Sequence, residues 1–505
     1  MNRLIPAVVA IVAAVLAALF IAPAAPALGS GHTGDPELAA RTRAVIDDTD
    51  GLRGLAVALI EDGRVRLAGL GRSDNRAAAG EPVNADTAFE PGSVTKTWTG
   101  MLLADMIEAG DVRTTDTLGT LLPGRAFADP AVREITVEEL ASHRSGLPAL
   151  APRDGLGTLG SVTASMRGAD PYAGVDRDDV LDAVSRIQLP NSKGTLRYSN
   201  FGMAVLGHAL AERTGTPYAR LVTERVLAPV GMSSTVFRPD GAAPPPTAAT
   251  GGTAAGRTVD PWTGSGYLPA GIGDWTTARD LATFLAATMD GTAPGSAATT
   301  PRFREDDASR IGYAWFTTRY GHREITWHNG ATGGFSAYVA YEPATGRGVV
   351  VLGNTDRSVD PIGLALLGVT EGPHTAVEGT KPILVGLTLV LLVGALGPAG
   401  TLTVGGRSRW WPAPDRLRVV AGVTSAAGSL AVAHALGAWR TVPGLAWTVA
   451  FGILAGTVAL AAVRWRALPT VAGKRPAGRW AGTVVTAAIG AALVVAAVAE
   501  GANSG

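Results

Sequence analysis

Four apolar stretches, near 382–400, 419–438, 443–463 and 480–499, divide this chain between two solvents. At about twenty residues each, they are long enough to cross a bilayer as helices. Helices buried in a soluble core would be shorter and more amphipathic. Trp410, Trp411, Trp439, Trp447, Trp465 and Trp480 lie mostly near the ends of these stretches, as interfacial anchors do. Residues 373–505 therefore read as a membrane domain with four transmembrane helices. Arg407, Arg409, Arg416 and Arg418 sit between the first two spans, and Arg464, Arg466, Lys474, Arg475 and Arg479 between the last two. The middle connection offers only Arg440. Positive loops stay in the cytoplasm, so the first span enters from outside and the C-terminus returns there. His434 is an ionisable residue inside a span, and reads best as a neutral imidazole hydrogen-bonded to a neighbouring helix.

The other end of the chain is apolar too. Residues 1–27 have Arg3 near the start, an apolar run from Ile5 to Ile21 and a small-residue end at Ala24-Ala25-Pro26-Ala27. That pattern is a signal peptide, with removal expected after Ala27. The alternative is an uncleaved anchor, since the run is long for a signal segment. Both readings place the segment beyond Ala27 outside the cytoplasm, in agreement with the loop charges.

Between the two ends, residues 35–372 read as one globular body. Lys and Arg together number 43, as do Asp and Glu, and there is no Cys. No basic excess calls for nucleic acid, and no disulfide framework or thiol-bound metal is available. A helix is expected around Glu37–Ile46, then strands Leu55–Ile60 and Val65–Leu70 joined by a tight turn at Asp62-Gly63. Helical patterns follow near Thr136–Ser142, Arg177–Ile187, Phe201–Arg213, Tyr218–Leu227 and Thr276–Met289. Three strand-like runs close the segment at Ile311–Thr317, Phe335–Tyr341 and Gly348–Leu352. Strands at both ends with helices between predict an α/β (α+β) fold: a single antiparallel sheet whose ends pair, flanking helices and an inserted helical subdomain. Stretches rich in Pro, Gly, Ala and Thr at 149–176 and 238–268 are long loops, either lids over a site or surface.

Chemistry concentrates in Phe89-Glu90-Pro91-Gly92-Ser93-Val94-Thr95-Lys96-Thr97. Pro91 and Gly92 punctuate the entry to a helix whose apolar run is Trp98, Met101, Leu102, Leu103, Met106 and Ile107. Ser93 falls at the first turn, and Lys96 three residues on shares its face. Serine needs an adjacent base, and an amine becomes one when desolvation lowers its pKa. The chain has 39 Arg but only four Lys, at 96, 193, 381 and 474, so an amine has been kept where Arg could not act as a base. Two further signals stand out. In Arg197-Tyr198-Ser199-Asn200-Phe201-Gly202, Asn200 either caps the following helix or orients the lysine and a substrate carbonyl, and Tyr198 presents a phenol whose pKa the ammonium lowers. In His328-Asn329-Gly330-Ala331-Thr332-Gly333-Gly334, the glycines allow close backbone approach or sharp turns. His143 reads as a packed structural residue, and Lys193 as solvated in a turn.

Ser93-x-x-Lys96, Tyr198-Ser199-Asn200 and His328-Asn329-Gly330 together resemble the three active-site elements of penicillin-binding proteins and serine β-lactamases. The branch is that of class C β-lactamases and D-Ala-D-Ala carboxypeptidases. Leu140-Ala141-Ser142-His143-Arg144-Ser145-Gly146-Leu147-Pro148, Leu227-Ala228-Pro229-Val230-Gly231-Met232 and Pro269-Ala270-Gly271-Ile272-Gly273 extend the resemblance over about residues 38–358. It implies a β-lactamase/transpeptidase-like fold in which Ser93 forms an acyl-enzyme and Lys96 and Tyr198 share the general-base role. Asn200, His328, Gly330 and Ala331 would line the substrate site, with the backbone N–H groups of Ser93 and Ala331 as the oxyanion hole. No cofactor and no metal are expected.

His328 stands where β-lactamases of this branch usually carry Lys, whose permanent charge holds the drug's carboxylate. A D-amino-acid peptidase or small-ester hydrolase is therefore at least as well supported as a penicillin-destroying enzyme. The function expected is a membrane-anchored extracytoplasmic serine hydrolase acting on amide or ester bonds of cell-wall peptides, β-lactams or similar small molecules. The alternative is an acylatable sensor of wall fragments or β-lactams that signals through its helices. Turnover separates the two.

Overall fold

The computed structural model of the protein describes residues 4–74, 80–152, 168–190, 192–369, 382–406, 413–471, 480–491 and 494. The chain divides into two units: residues 27–254 with 258–378, and residues 1–26 with 255–257 and 379–505.

The larger unit is built on a nine-stranded sheet. Its strands in chain order are β1 (His32–Gly34), β2 (Gly54–Glu61), β3 (Arg64–Gly71), then, after a small three-stranded sheet of β4 (Ala88–Phe89), β5 (Val236–Phe237) and β6 (Asp274–Thr277), β7 (Phe303–Arg304), β8 (Ser309–Ile311), β9 (Phe316–Tyr320), β10 (Arg323–Ala331), β11 (Ser336–Glu342) and β12 (Arg347–Gly353). The order across the large sheet is β1-β3-β2-β12-β11-β10-β9-β8-β7, antiparallel at every pairing. Asp62 and Gly63 both have positive φ, 52° and 68°, which is what a two-residue hairpin between β2 and β3 requires. The two ends of the segment pair as expected, Val57 standing opposite Val351.

Both faces of the central strands are covered, so alternation sorts apolar residues into two cores rather than into inside and outside. Leu55, Val57 and Leu59 of β2 join Val349 and Val351 of β12 on one face, beneath the helices Pro36–Ala44 and Asp360–Leu366. Ala56, Ala58 and Ile60 join Val350 and Leu352 on the other, against the helix Ala278–Met289 and the nucleophile helix Thr95–Glu108. The inserted helical region, with helices Arg177–Arg186, Asn200–Thr214 and Tyr218–Val222, extends that second core.

One feature at the C-terminal side of the sheet differs from the sequence expectation. The run Ile311–Thr317 is not one strand: a turn in which the Gly312 N–H donates to the Trp315 carbonyl, with Ala314 at φ 63°, separates β8 from β9. The third motif begins on a strand, β10, of nine residues ending at Ala331, and Gly330 makes the close backbone approach that is one of its two expected roles. Residues 325–328 of β10 are all buried, so it shows no in–out alternation, and Gly330 reads locally as a breaker.

In the smaller unit, three helices are long and apolar enough to cross a membrane: Leu384–Val404, Arg416–Leu436 and Gly444–Arg464. These match the first three expected spans. Of the fourth, the described part is a shorter apolar helix, Trp480–Ala491, and the rest of 480–499 lies outside the described residues. Arg407, Arg409, Lys474, Arg475 and Arg479 of the connecting loops also lie outside them. The N-terminal segment forms a helix, Leu4–Phe20, against Gly444–Arg464. A Cβ at Gly452 would come within 2.9 Å of the Val15 side chain, and Ala18 is fully buried among Leu430, Trp447 and Leu454. His434 finds a hydrogen-bond partner: Nε2 lies 2.8 Å from the Ile21 carbonyl, to which it donates.

An ion pair ties together the ends of two central strands of the larger unit's sheet. Arg323 of β10 donates two hydrogen bonds, at 2.8 and 2.7 Å, to Glu342 at the end of β11, and Thr345 donates a third at 2.6 Å. The Arg323 hydrogen bonds are the main cause holding the Glu342 carboxyl down at about 2, against the effect of burial. A depressed acid contributes stability above its unfolded pKa that is lost as pH falls through the folded value. Glu342→Gln is expected to destabilise this unit by about 2 kcal/mol at neutral pH, because it leaves Arg323 half-buried without its countercharge. The deficit, read from the midpoint of thermal unfolding, should shrink as pH falls from the usual carboxylate range towards 2.

Candidate active site

The nucleophile turn is held from behind by the small sheet, in which Phe89 of β4 pairs with Thr276 of β6 and packs edge-on against Phe335 at 6.2 Å. Gly92–Val94 form a single 3-10 turn, and the nucleophile helix begins at Thr95. Ser93 is thus half-buried at a turn that leads directly into a helix whose first ten residues are all buried.

Lys96 has no exposed surface, and its Nζ lies 2.7 Å from Ser93 Oγ and 2.7 Å from the Ala270 carbonyl. The carbonyl occupies an N–H of the amine, which leaves its lone pair free to face the serine. Burial pushes the Lys96 pKa down to about 7, with Asp274 acting in the opposite sense. The amine is therefore available as a base near neutrality, as the Ser-x-x-Lys spacing predicts.

The second motif meets this pair from the helical region. The Lys96 Nζ lies 5.2 Å from the centre of the Tyr198 ring. Tyr198 is 39% exposed as a residue, but its hydroxyl end turns inward to hydrogen-bond with Ser93. The expectation that the ammonium lowers the Tyr198 pKa is not met. Burial of the hydroxyl end raises it well above the ordinary phenol value, against the effect of the Ser93 hydrogen bond. Tyr198 rests as a neutral phenol.

Capping also falls differently from one of the two readings of Asn200. Ser199 is the cap of the helix Asn200–Thr214: its Oγ accepts from the Gly202 N–H at 2.8 Å and donates to the Pro148 carbonyl at 2.6 Å. Asn200 is freed from capping, and its buried Oδ1 has no hydrogen-bond partner among the described residues.

His143, read as structural, is fully buried at φ 57°. Its Nδ1 accepts the Ser199 N–H at 3.3 Å, its carbonyl accepts the Arg197 N–H at 2.7 Å, and its ring packs 4.5 Å from that of Tyr198. It shapes the second motif from beneath. Lys193 is not simply solvated: its Nζ bonds the Glu134 carbonyl and lies 3.2 Å from Glu139.

On β10, alternation sends successive side chains to opposite faces. His328 and Gly330 face the nucleophile, whereas Asn329 points away and donates to Asp360 at 2.7 Å. His328 Nδ1 lies 2.6 Å from the Asn329 carbonyl, so the proton sits on Nδ1, and the buried Nε2 has no partner among the described residues. Burial, then the neighbouring Lys96, drives the His328 pKa down to about 3, which keeps the ring neutral.

Two glycines allow the backbones to close up. A Cβ at Gly330 would stand 2.0 Å from the Pro91 carbonyl, and one at Gly92, where φ is 52°, would meet the Ala331 nitrogen at 2.9 Å. The backbones that carry the Ser93 and Ala331 amides are thereby brought together.

The described parts of the two long loops form a packed rim. Asp170 accepts the Thr263 N–H at 2.7 Å, and Tyr172 lies 5.1 Å from Trp262 and 5.0 Å from Tyr267, ring to ring. Trp262 Nε1 would be 3.0 Å from a Cβ at Gly333, which places this aromatic wall beside the third motif.

Sequence reasoning overlooked two buried acids behind the nucleophile. Glu90 accepts the Trp262 N–H at 2.8 Å, and Asp274 receives the Thr95 hydroxyl hydrogen bond. Nothing in their sequence context marks them, since neither follows a spacing tied to the serine. Among the described residues no cluster of three or more His, Cys, Asp or Glu could hold a metal.

The profile of the family described as Beta-lactamase matches residues 41–367. Penicillin-binding protein 4 of Amycolatopsis lactamdurans is 27% identical over 296 residues, 54% of this chain and 74% of that one. A beta-lactamase of Pseudomonas fluorescens is 25% identical over 363 residues, 62% and 93% of the two chains. Among solved structures, a class C beta lactamase from Rhodobacter sphaeroides superposes with a TM-score of 0.52 at 23% identity, covering 64% of this chain and 95% of its own. A beta-lactamase/D-alanine carboxypeptidase from Pseudomonas syringae gives 0.55 at 19% identity, covering 66% and 98%. With its sheet, its inserted helices and its three motifs in that arrangement, and with a profile match over most of the chain, this protein belongs to the beta-lactamase family of serine hydrolases.

Proposed function

We propose that the protein is a membrane-anchored hydrolase that cleaves ester or amide bonds outside the cytoplasm through an acyl-enzyme on Ser93. The contact that carries the reading is the 2.7 Å approach of a wholly buried amine, Lys96, to the Ser93 hydroxyl. In acylation, Ser93 gives its proton to Lys96 Nζ as Oγ bonds to the substrate carbonyl carbon. The oxyanion is received by the Ser93 and Ala331 amides, each such donor being worth on the order of 3 kcal/mol in the barrier. The proton then passes from Lys96 by way of the neutral Tyr198 hydroxyl to the leaving group. Water completes the cycle by the same route in reverse. Asn200 Oδ1 positions the substrate through an N–H.

Substrate preference follows from His328. A neutral imidazole gives a carboxylate no countercharge. This supports esters and amides without a carboxylate beside the scissile bond over penicillins and C-terminal D-amino-acid peptides. The arginine-rich loops between the spans and the apolar N-terminal segment support an extracytoplasmic catalytic unit.

Ser93→Ala is expected to abolish both turnover and covalent labelling, and Lys96→Arg to slow acylation by about 10³-fold, since a guanidinium cannot take the proton. Hydrolysis of p-nitrophenyl butyrate, with mass spectrometry of the Ser93 peptide, checks both. A persistent adduct without turnover would instead mark an acylatable sensor. Lys96 acts only when deprotonated, so the rate should rise with pH along a limb centred near the value of about 7 to which burial brings the amine. A limb in the ordinary lysine range would contradict that role. For topology, the chain has no Cys, so single cysteines report without background. Ser309→Cys should be labelled by a membrane-impermeant thiol reagent in intact cells, and Thr470→Cys only after lysis.

A further inference from the structure

The reaction gives no role to Glu90, although the fold puts it where three edges of the cleft meet. Glu90 follows β4 directly and lies three residues before Ser93, so it belongs to the nucleophile turn. Its Oε1 accepts the Trp262 N–H of the rim at 2.8 Å. From the third motif, the buried hydroxyl of Thr332 lies against the same carboxyl and has no other hydrogen-bond partner among the described residues.

The rim needs such a hold. Residues 259–264 belong to no helix or strand, so their amides depend on partners brought from elsewhere. Val259 and Asp260 donate to the carbonyls of Gly251 and Gly168, at 3.0 and 2.8 Å. Thr263 donates to Asp170 through both its N–H and its hydroxyl, at 2.7 and 3.0 Å. Those partners all lie in the two long loops themselves. The bond from Trp262 to Glu90 is the one, among the described residues, that fastens this segment to the nucleophile turn.

Glu90 does this from a dry site without a cation. It is 3% exposed, and the ionisable groups that act on it, Asp274 of β6 and Asp170 of the rim, are both acids. Burying an unpaired carboxylate costs far more than burying the acid. Burial, reinforced by those two acids, holds the Glu90 carboxyl up at about 8, against the effect of Thr332 and the Trp262 N–H. At neutral pH Glu90 is therefore an uncharged acid, with one oxygen that accepts from Trp262 and an O–H to offer to Thr332.

We infer that Glu90 is a positioning residue, a hydrogen-bonding clasp that fixes the rim at Trp262 to the nucleophile turn and the third motif and so keeps the aromatic wall in place for substrate binding. It touches no reacting atom. Ser93 and Lys96 are aligned by their own contact and by the Ala270 carbonyl, so loss of the clasp weakens binding rather than chemistry. What the inference says of substrate rests on the hydrolase reading.

The full-length protein in detergent micelles serves for the test. Glu90→Leu fills the space but cannot accept a hydrogen bond, whereas Glu90→Gln offers a carbonyl to Trp262 and an amide N–H to Thr332 without a charge. In Glu90→Leu, the peptide that contains Trp262 should exchange its amides with deuterium about tenfold faster, and KM for p-nitrophenyl butyrate should rise about tenfold with kcat little changed. Glu90→Gln should restore both. Unchanged exchange and KM in Glu90→Leu overturn the inference, as does Glu90→Gln behaving like Glu90→Leu. A second measurement needs only the Gln variant and decides the matter should Glu90→Leu not fold. An acid whose pKa is raised by folding loses stability as pH climbs from the usual carboxylate range to the raised value, here about 8, and Gln does not titrate. The thermal midpoint of Glu90→Gln should therefore gain on that of the wild type over this range. A difference that stays flat or falls would mark Glu90 as a stabilised carboxylate and overturn the inference. Neither exchange nor unfolding depends on turnover, so failure of the hydrolase reading, seen as activity surviving in Ser93→Ala, is distinguished from failure of this one.

Discussion

An amine buried without any exposed surface is the constraint on which the larger unit depends. Desolvating an ammonium costs several kcal/mol unless the group is paired or gives up its proton, and Lys96 sits where both relieving effects operate, with Ala270, Ser93 and the field of Asp274 around it. Keeping water out requires that the nucleophile helix run through the middle of the unit, between the sheet and the inserted helices. Its side chains meet apolar partners on every face, among them Phe284 against Trp98. A solvent-facing helix with the same Ser-x-x-Lys spacing would carry an ordinary, protonated lysine.

The oxyanion site depends on a second constraint, the approach of two backbones far apart in sequence. Gly92 and Gly330 meet because β10 lies in the middle of the large sheet, held by β11 on one side and β9 on the other. The closure of that sheet through β2 and β12 joins the start of the unit to its end. Side chains of any size at these two glycines would separate the nucleophile turn from the strand and with it the two amides. The His328 ring is a product of the same placement. Strand alternation aims it at the serine, burial keeps it neutral, and its own backbone neighbour fixes the tautomer.

The two units obey different solvent rules. In the larger, apolar side chains are sorted by strand alternation and helix faces into two closed cores. In the smaller, Leu389, Val390, Val449 and Val458 are exposed on helices long enough to span a bilayer, and contacts between helices use small residues such as Gly452 and Ala18. Small residues at helix contacts with large apolar ones facing outward are what association in lipid favours, where burying hydrocarbon between helices brings no gain over lipid.

Local chemistry by itself determined much of this protein. The hairpin at Asp62-Gly63, the helix starts, the three apolar spans and the pairing of Ser93 with Lys96 all rest on residues within a few positions of one another, where backbone propensity and periodicity act. The resemblance carried the joining of the three motifs into one site. Tertiary structure decided the rest. Whether the third motif is a turn or a strand depended on neighbours supplied by β9 and β11. Whether Asn200 caps its helix depended on Ser199 having Pro148 and His143 beneath it. The direction in which Tyr198 is shifted, and the very presence of Glu90 and Asp274 behind the base, turn on desolvation, which is a property of everything packed around a group. A sequence states which groups can ionise, whereas the dielectric that decides whether they do is assembled only when distant segments close over them.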